Sequence, residues 1–563
     1  MAFPKTRFFG SRFSWVALAL TSWLGSAAPL LAAEPPKLVV VLVVDQFRGD
    51  FIARYREHFV PGGIQLMLAE GAYFRECHYR QSITKTAAGH AVILSGVHAD
   101  VHGIIANDWL DRATLKKVNS IDDDTVQLIG VSAARGGAKL PTAKAAAGGS
   151  PRNFLATTVS DDFKLAHAGR PKIIAISSKD RSAILLGGKQ ADAAYWMDQG
   201  RMISSTYYQQ QLPEWVQAFN DVGRVESFFG KTWERLLPLA AYEQIHGPDD
   251  VPWEYAGLGL GRTLPKKIDG GAATIGTPFY NAFELSPFKS EVLVDFARAV
   301  LANENLGRRG VTDFLGVSFS VNDSIGHEYG PDSHEVMDMM LRTDRMLADL
   351  FKAIDERVGL KNCTLLLTGD HGAPPMPERL RTIAPGIDAG RIDHPRVLAT
   401  GEAALTQAFG ALPEGRRWFV TDSTALIFSI DVLKERNVAP AAAEAVLRDA
   451  LLTIPFIAAA FTRTELAAHR ATGEFAAAAQ LSFHPLRSGD VLYIPKPYWL
   501  DRTTGTNHGT PYNYDTHVPL LWLGVGVVPG LRSERIGVDD IAPTLAHILG
   551  RPATPRGLGR NLF

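Results

Sequence analysis

The sequence predicts an α/β fold: a three-layer sandwich around a mostly parallel sheet, with a cap insertion and a small α+β subdomain. Three observations lead there. The run Lys37 to Val44 is continuously apolar and β-branched, as expected of a strand buried on both faces of a parallel sheet. Further short apolar runs at Lys172 to Ile176, Phe314 to Phe319, Thr364 to Thr368 and Val518 to Leu523 alternate with helical patterns such as Glu335 to Ile354 and Val538 to Leu549. Residues with chemistry follow several of these runs, at the strand ends where α/β folds bind ligands.

The chain of 563 residues is 46% hydrophobic and 21% charged, ordinary proportions for a chain with a large buried core and no long disordered region. A formal net charge of −1 gives no general field for nucleic acid or an anionic membrane, which disfavours polyanion binding as the main role. Cys77 and Cys363 cannot build a disulfide framework and fit no thiolate metal-site spacing. Any metal must therefore be held by His, Asp or Glu, and the cysteines read as buried small hydrophobes.

Residues 1–33 have the order of a secretory signal peptide: Lys5, Arg7 and Arg12, the apolar run Phe13 to Leu24, then small residues around Ala27, Ala28, Ala32 and Ala33. Phe13 to Ala33 could just span a bilayer, but Ser22, Gly25, Ser26 and Pro29 interrupt it and no basic stop follows. Cleavage near Ala33 would remove those three basic residues and shift the net charge from −1 to −4. The expectation is an exported, periplasmic protein with an unlipidated N-terminus, no stable membrane anchor and a monomeric state.

The main domain is expected over 34–563, with two departures from strand–helix alternation. Residues 200–285 are rich in aromatic residues, Gly and Pro (Tyr207, Tyr208, Trp215, Trp233, Trp253, Tyr255) and read as a cap of loops and short helices, expected to shape leaving-group preference. Residues 401–486 pair short strands (Trp418 to Thr421, Ala425 to Ser429, Phe456 to Phe461) with Ala-rich helices and read as the α+β subdomain. Ala143 to Gly149 reads as a loop.

Asp45, Asp323, His327, Asp370 and His371 stand at or just after strand runs. Singly, such an Asp is usually a helix cap or a turn former. Together they form a set. Asp323 and His327 are four apart, aligned on one helical turn, and carboxylate plus imidazole suits Zn²⁺. Asp370-His371-Gly372 can aim neighbouring donors at one ion, and His508 lies between Gly505 and Gly509, which allow close backbone approach. Six such donors suffice for two ions across a reacting group.

The nucleophile candidate is Thr86, in Ser82-Ile-Thr-Lys-Thr-Ala-Ala-Gly-His90. A hydroxyl opening a helix is ordinarily an N-cap, but the positive helix end also favours an alkoxide or a covalent phosphate. An aliphatic hydroxyl needs a nearby cation to attack at neutral pH. Lys179 and Arg181, two apart in Ser177-Ser-Lys-Asp-Arg181, would point the same way in extended chain and offer a point charge and a planar fork to phosphoryl oxygens; alone, they would read as a solvated edge. Asn107 offers an amide donor, or serves only its turn. His90, His102, His484 and His517 read as core or supporting residues, with His517 the best placed to orient a ligand.

In this order, Asp45, Thr86 with its Ala-Ala-Gly-His tail, Asp323 and His327, Asp370-His371-Gly372 and His508-Gly509 resemble the alkaline phosphatase superfamily from Lys37 to Phe563. The closing segments Asp539 to Leu545 and Gly557 to Arg560 are also similar to that superfamily. Thr86, Asn107 and the 177–181 stretch resemble its threonine-nucleophile, phosphate-irrepressible bacterial members. The resemblance implies two Zn²⁺, one held by Asp45, Asp370 and His371 with Thr86, the other by Asp323, His327 and His508. It further implies hydrolysis of small-molecule phosphate monoesters through a phosphothreonine, with Asn107, Lys179 and Arg181 binding the nonbridging oxygens. A phosphodiesterase of the same superfamily is the main alternative. A phosphomutase, a sulfatase and a non-catalytic exported zinc-binding protein stand further off.

Overall fold

The computed structural model describes residues 34–131, 147–552 and 557–563. The leader-like segment 1–33 lies outside them, and Pro35–Phe563 form one compact unit. Among the described residues no helix is long and apolar enough to cross a membrane.

Leu38–Val44 is the axis of the molecule, buried along its whole length. It pairs in parallel with Asp313–Phe319 on one side and Cys363–Thr368 on the other, and Ile173–Ser177 and Ala193–Asp198 extend the parallel centre. Alternate residues of the axis face two different cores. Leu38, Val40, Leu42 and Val44 join one core with helices Phe288–Asn303 and His334–Arg357. Val39, Val41 and Val43 join the other with Thr86–Ser95, Val159–Ala166 and Ile541–Ile548. Two faces, each covered by helices, make the three layers that the unbroken apolar run predicts; Leu42→Ala would cost about 2–5 kcal/mol.

The flanks differ from the centre. His517–Gly524 runs antiparallel to Cys363–Thr368 and is followed by Ala72–His78; Arg201–Ser205 runs antiparallel to Ala193–Asp198. The sheet is therefore mixed, with twelve strands among the described residues. An apolar run encodes burial but not direction, so the orientation of the Val518 run was not readable.

The two stretches that depart from strand–helix alternation are built differently. The stretch expected as a cap begins with a strand of the main sheet, Arg201–Ser205, and its Trp233, Tyr242, Phe279 and Phe283 are buried in the core of helix His334–Arg357. These four aromatic residues are packing, whereas Tyr207 is exposed. The α+β subdomain is a four-stranded sheet of Phe419–Asp422, Ala425–Phe428, Val491–Pro495 and Ile457–Thr462, so it draws in a strand beyond 486. Helix His394–Phe409 shares its core through Val397 and Leu405. Ala147–Gly149 is a strand pairing with Asp122–Ile129 rather than loop, and 143–146 lie outside the described residues. Cys77 and Cys363 are free and buried.

Candidate active site

Four neighbouring parallel strands deliver the candidate residues to one end of the sheet. Asp45 follows Leu38–Val44 directly, and Asp370 and His371 follow Cys363–Thr368. Asp323 and His327 stand on helix Val321–Tyr329, which begins after Asp313–Phe319, and Lys179 follows Ile173–Ser177. Parallel strands bring side chains hundreds of residues apart within hydrogen-bonding reach at their carboxyl ends.

Asp45, Asp370 and His371 offer ligand atoms within 4.8 Å of one another, and so do Asp323, His371 and His508. His327 joins the second group through Asp323 Oδ1, 3.2 Å from its Nε2. The His371 ring stacks on His508 with centroids 3.4 Å apart, which places it between the two groups.

Each histidine is oriented by a backbone carbonyl. Nδ1 of His371, His327 and His508 lies 3.0, 2.8 and 2.6 Å from the carbonyls of Gly372, Thr506 and Thr84. A ring nitrogen facing a carbonyl must carry the proton, so in the neutral ring Nε2 holds the lone pair. Those Nε2 atoms face the carboxylates: His371 is 3.3 Å from Asp45 Oδ1, and His508 is 3.5 Å from Asp323 Oδ1. This is how proteins orient imidazole for a metal.

Three carboxylates are buried here, and Asp45 Oδ1 and Asp370 Oδ2 accept no hydrogen bond. Burial and the Asp323 charge act to raise Asp45, but Lys179 and His371 outweigh them and hold it below the usual range. Asp370, pushed up by burial and by Asp45, stays above that range. Burial acts to lower His371, yet Asp370 and Asp45 raise it to about 9. Buried, oxygen-rich and incompletely paired, the donor set fits divalent cations.

Thr86 opens a ten-residue helix buried on every side. It is not the cap: Lys85 occupies that position, and no side chain caps the helix. Thr86 is 1% exposed, and its hydroxyl lies 3.4 Å from His371 Nε2. Gly89 explains the small-residue tail, because a Cβ there would lie 2.2 Å from the Asp370 carbonyl oxygen. Gly505 makes the matching approach to His327, where a Cβ would lie 2.1 Å from the carbonyl oxygen and φ is +63°.

The Asn107 Oδ1 accepts from the Ala87 N–H at 2.8 Å, so its amide leans on the start of the Thr86 helix. The Lys179 Nζ donates to Asp45 and Asp323. Lys179 and Arg181 do not share an extended segment: Lys179 caps helix Asp180–Gly187 and Arg181 lies in its first turn, with a buried Nε that has no partner. Arg181 is close enough to oppose the charge of Lys179.

Some residues escaped the sequence reading. Gln46, at φ +64°, donates its N–H to Asp370 Oδ1 at 3.2 Å and its amide to Asp323 Oδ1 at 2.8 Å, tying the two groups together. Adjacency to Asp45 was its only signal. His90, read as core or support, bonds the Thr86 carbonyl and Ser318 and lies 3.2 Å from Asp370 Oδ2. His517 belongs elsewhere: it stacks on His78 across the strand pair and groups with Glu76 and His78.

Fold and site together define a metal-dependent hydrolase class, that of the alkaline phosphatase superfamily. The model of the family described as type I phosphodiesterase / nucleotide pyrophosphatase matches residues 39–505. Alkaline phosphatase PhoV of Synechococcus elongatus is 34% identical over 526 residues, covering 91% of this chain and 90% of its own. Alkaline phosphatase PafA of Elizabethkingia meningoseptica is 32% identical over 549 residues, with 94% of each covered. The crystal structure of wild-type PafA superposes with a TM-score of 0.85 at 30% identity, covering 94% of this chain and 99% of that one. This chain belongs to the type I phosphodiesterase / nucleotide pyrophosphatase family and is an enzyme of the alkaline phosphatase type.

Proposed function

We propose that this chain is an extracytoplasmic, zinc-dependent phosphomonoesterase that works through a phosphothreonine on Thr86. The observation that carries the reading is the buried Thr86 hydroxyl, 3.4 Å from His371 Nε2, at the start of a helix and beside two converging donor groups. Two Zn²⁺, one held by Asp45, Asp370 and His371 and the other by Asp323, His327 and His508, would supply positive charge and lower the pKa of a hydroxyl or a water.

The Thr86 Oγ1 loses its proton and attacks phosphorus, and the ester oxygen leaves with the bond electrons and takes up a proton. Water then attacks the same phosphorus from the vacated side, and Thr86 departs as inorganic phosphate forms. The helix N-terminus favours the charge on Oγ1 and on the attached phosphoryl group. Lys179, Arg181 and Asn107 hold the nonbridging oxygens, where fixed charge and hydrogen bonds supply much of the rate. Export rests on the leader-like order of residues 1–33.

The test compares 4-nitrophenyl phosphate with its matching diester before chelation, after chelation and after Zn²⁺ return. Zinc-restored turnover that favours the monoester, with a phosphothreonine trapped at Thr86, is the expected result. Faster diester turnover would assign the chain to phosphodiester hydrolysis instead.

A further inference from the structure

A pocket of about 290 Å³ adjoins the second donor group through His508 and is also lined by Asn107. Its other wall belongs entirely to the α+β subdomain and the chain leaving it: Asp422, Leu492, Pro495, Trp499 and Asp501. Residues 200–285, expected to shape leaving-group choice, contribute nothing to this wall.

We propose that this pocket receives the leaving group and that it suits monoesters of ring-bearing alcohols, aryl phosphates above all. The proposal rests on the phosphomonoesterase reading and adds a substrate class to it. Continuity with the site identifies the occupant. Asn107, which meets the start of the Thr86 helix, and His508 of the second donor group both line the pocket, so it opens beside the place where a phosphoryl group on Thr86 would stand.

The lining sets the chemistry. Ile105, Trp109, Leu492, Pro495 and Trp499 provide apolar, partly flat surface. The two indoles are held in place, which lowers the ordering cost of binding. Arg487 lies over the Trp109 ring at 5.0 Å; Trp499 stacks on Phe456 at 5.2 Å and donates its Nε1–H to Asp388 at 2.9 Å. An apolar cavity of about 150 Å³ holds benzene, so a substituted single ring fits here. Three lining carboxylates, Asp108, Asp422 and Asp501, outnumber the one lining ammonium, Lys85, so the pocket is acidic on balance. Burial acts to raise Asp501, but His394 and Ser423 hold it below the ordinary carboxylate range, so its charge persists at neutral pH. Anionic leaving groups are therefore disfavoured.

Phosphonates isolate this term, because they bind as the phosphoryl group does without being cleaved. The zinc-loaded enzyme is inhibited with inorganic phosphate, methylphosphonate, phenylphosphonate and 4-carboxyphenylphosphonate. Phenylphosphonate is expected to bind at least about tenfold more tightly than methylphosphonate, and the para-carboxylate to remove most of that gain. Ala425→Leu, which fills the pocket, and Leu492→Ala, which strips its wall, should shrink the phenyl-to-methyl ratio toward about twofold and leave phosphate inhibition unchanged. Equal affinity for the two phosphonates in the parent enzyme, or a ratio untouched by both substitutions, would overturn the pocket assignment. Loss of phosphate inhibition in the parent enzyme would instead overturn the phosphomonoesterase reading itself.

Discussion

The Lys179 ammonium lies 2.5 Å from Asp323 Oδ2, and it reaches Asp45 Oδ2 at 2.8 Å from the same position. Asp45 belongs to one donor group and Asp323 to the other. A single part-buried cation thus spans the two, its charge held between the Asp45 and Asp323 carboxylates.

Lys179→Ala is expected to lower kcat/KM for an aryl monoester by about 10²–10³-fold, and to lower diester turnover less, because a diester has one nonbridging charge fewer. Steady-state kinetics on the matched pair decide it. Equal losses on both esters would remove Lys179 from phosphoryl binding.

Thr86→Ala should abolish the phosphothreonine seen by intact-protein mass spectrometry and reduce turnover by at least about 10³-fold, whereas Thr86→Ser keeps both. Stability should change by less than about 1 kcal/mol, since Thr86 does not cap its helix. A phosphorylated Thr86→Ala protein would place the nucleophile elsewhere.

Gln46 supports Asp323 with a 2.8 Å hydrogen bond. Gln46→Ala should weaken zinc affinity by about 10–100-fold, read by competition with a chromogenic chelator. Gly326→Ala should do the same by another route, because its Cβ would meet the Gln46 side-chain oxygen at 1.9 Å. Unchanged affinity in both variants would make Gln46 a packing residue only.

His394 Nε2 lies 2.5 Å from Asp501 Oδ1 and fastens the subdomain helix to the pocket wall. The hydrogen bond to Asp501 raises the His394 pKa above its ordinary 6.5. A raised histidine stabilises the fold fully below its unfolded pKa and loses that contribution as pH climbs through its folded pKa. Asp501 is depressed, so its share is lost only when pH falls below the ordinary carboxylate range. Thermal stability should therefore decline on the alkaline side, by less than about 1 kcal/mol at this half-exposed site. His394→Gln should flatten that limb of the Tm–pH curve, and an unaltered limb would sever the link.

Much of the site was legible because metal chemistry constrains residue type and place. Asp45, Asp370 and His371 had to follow buried strands, and the four-residue spacing of Asp323 and His327 required a helix, which is Val321–Tyr329. Gln46 was not legible, since an amide beside an aspartate has no spacing signature and its role comes from a backbone turn at φ +64°. Lys179 and Arg181 were found in an extended reading, whereas the chain turns into a helix between them.

By itself the sequence determined the buried axial strand, the alternation of helices and strands, and the choice of candidate donors, because burial periodicity and ligand chemistry are written locally. Only the tertiary structure decided that His517–Gly524 runs antiparallel, that Trp233, Tyr242, Phe279 and Phe283 fill a core, and that Asp422, Leu492 and Trp499 wall the pocket beside Asn107. Strand direction and the meeting of distant side chains follow from how the layers pack, and no local stretch of chain carries that information.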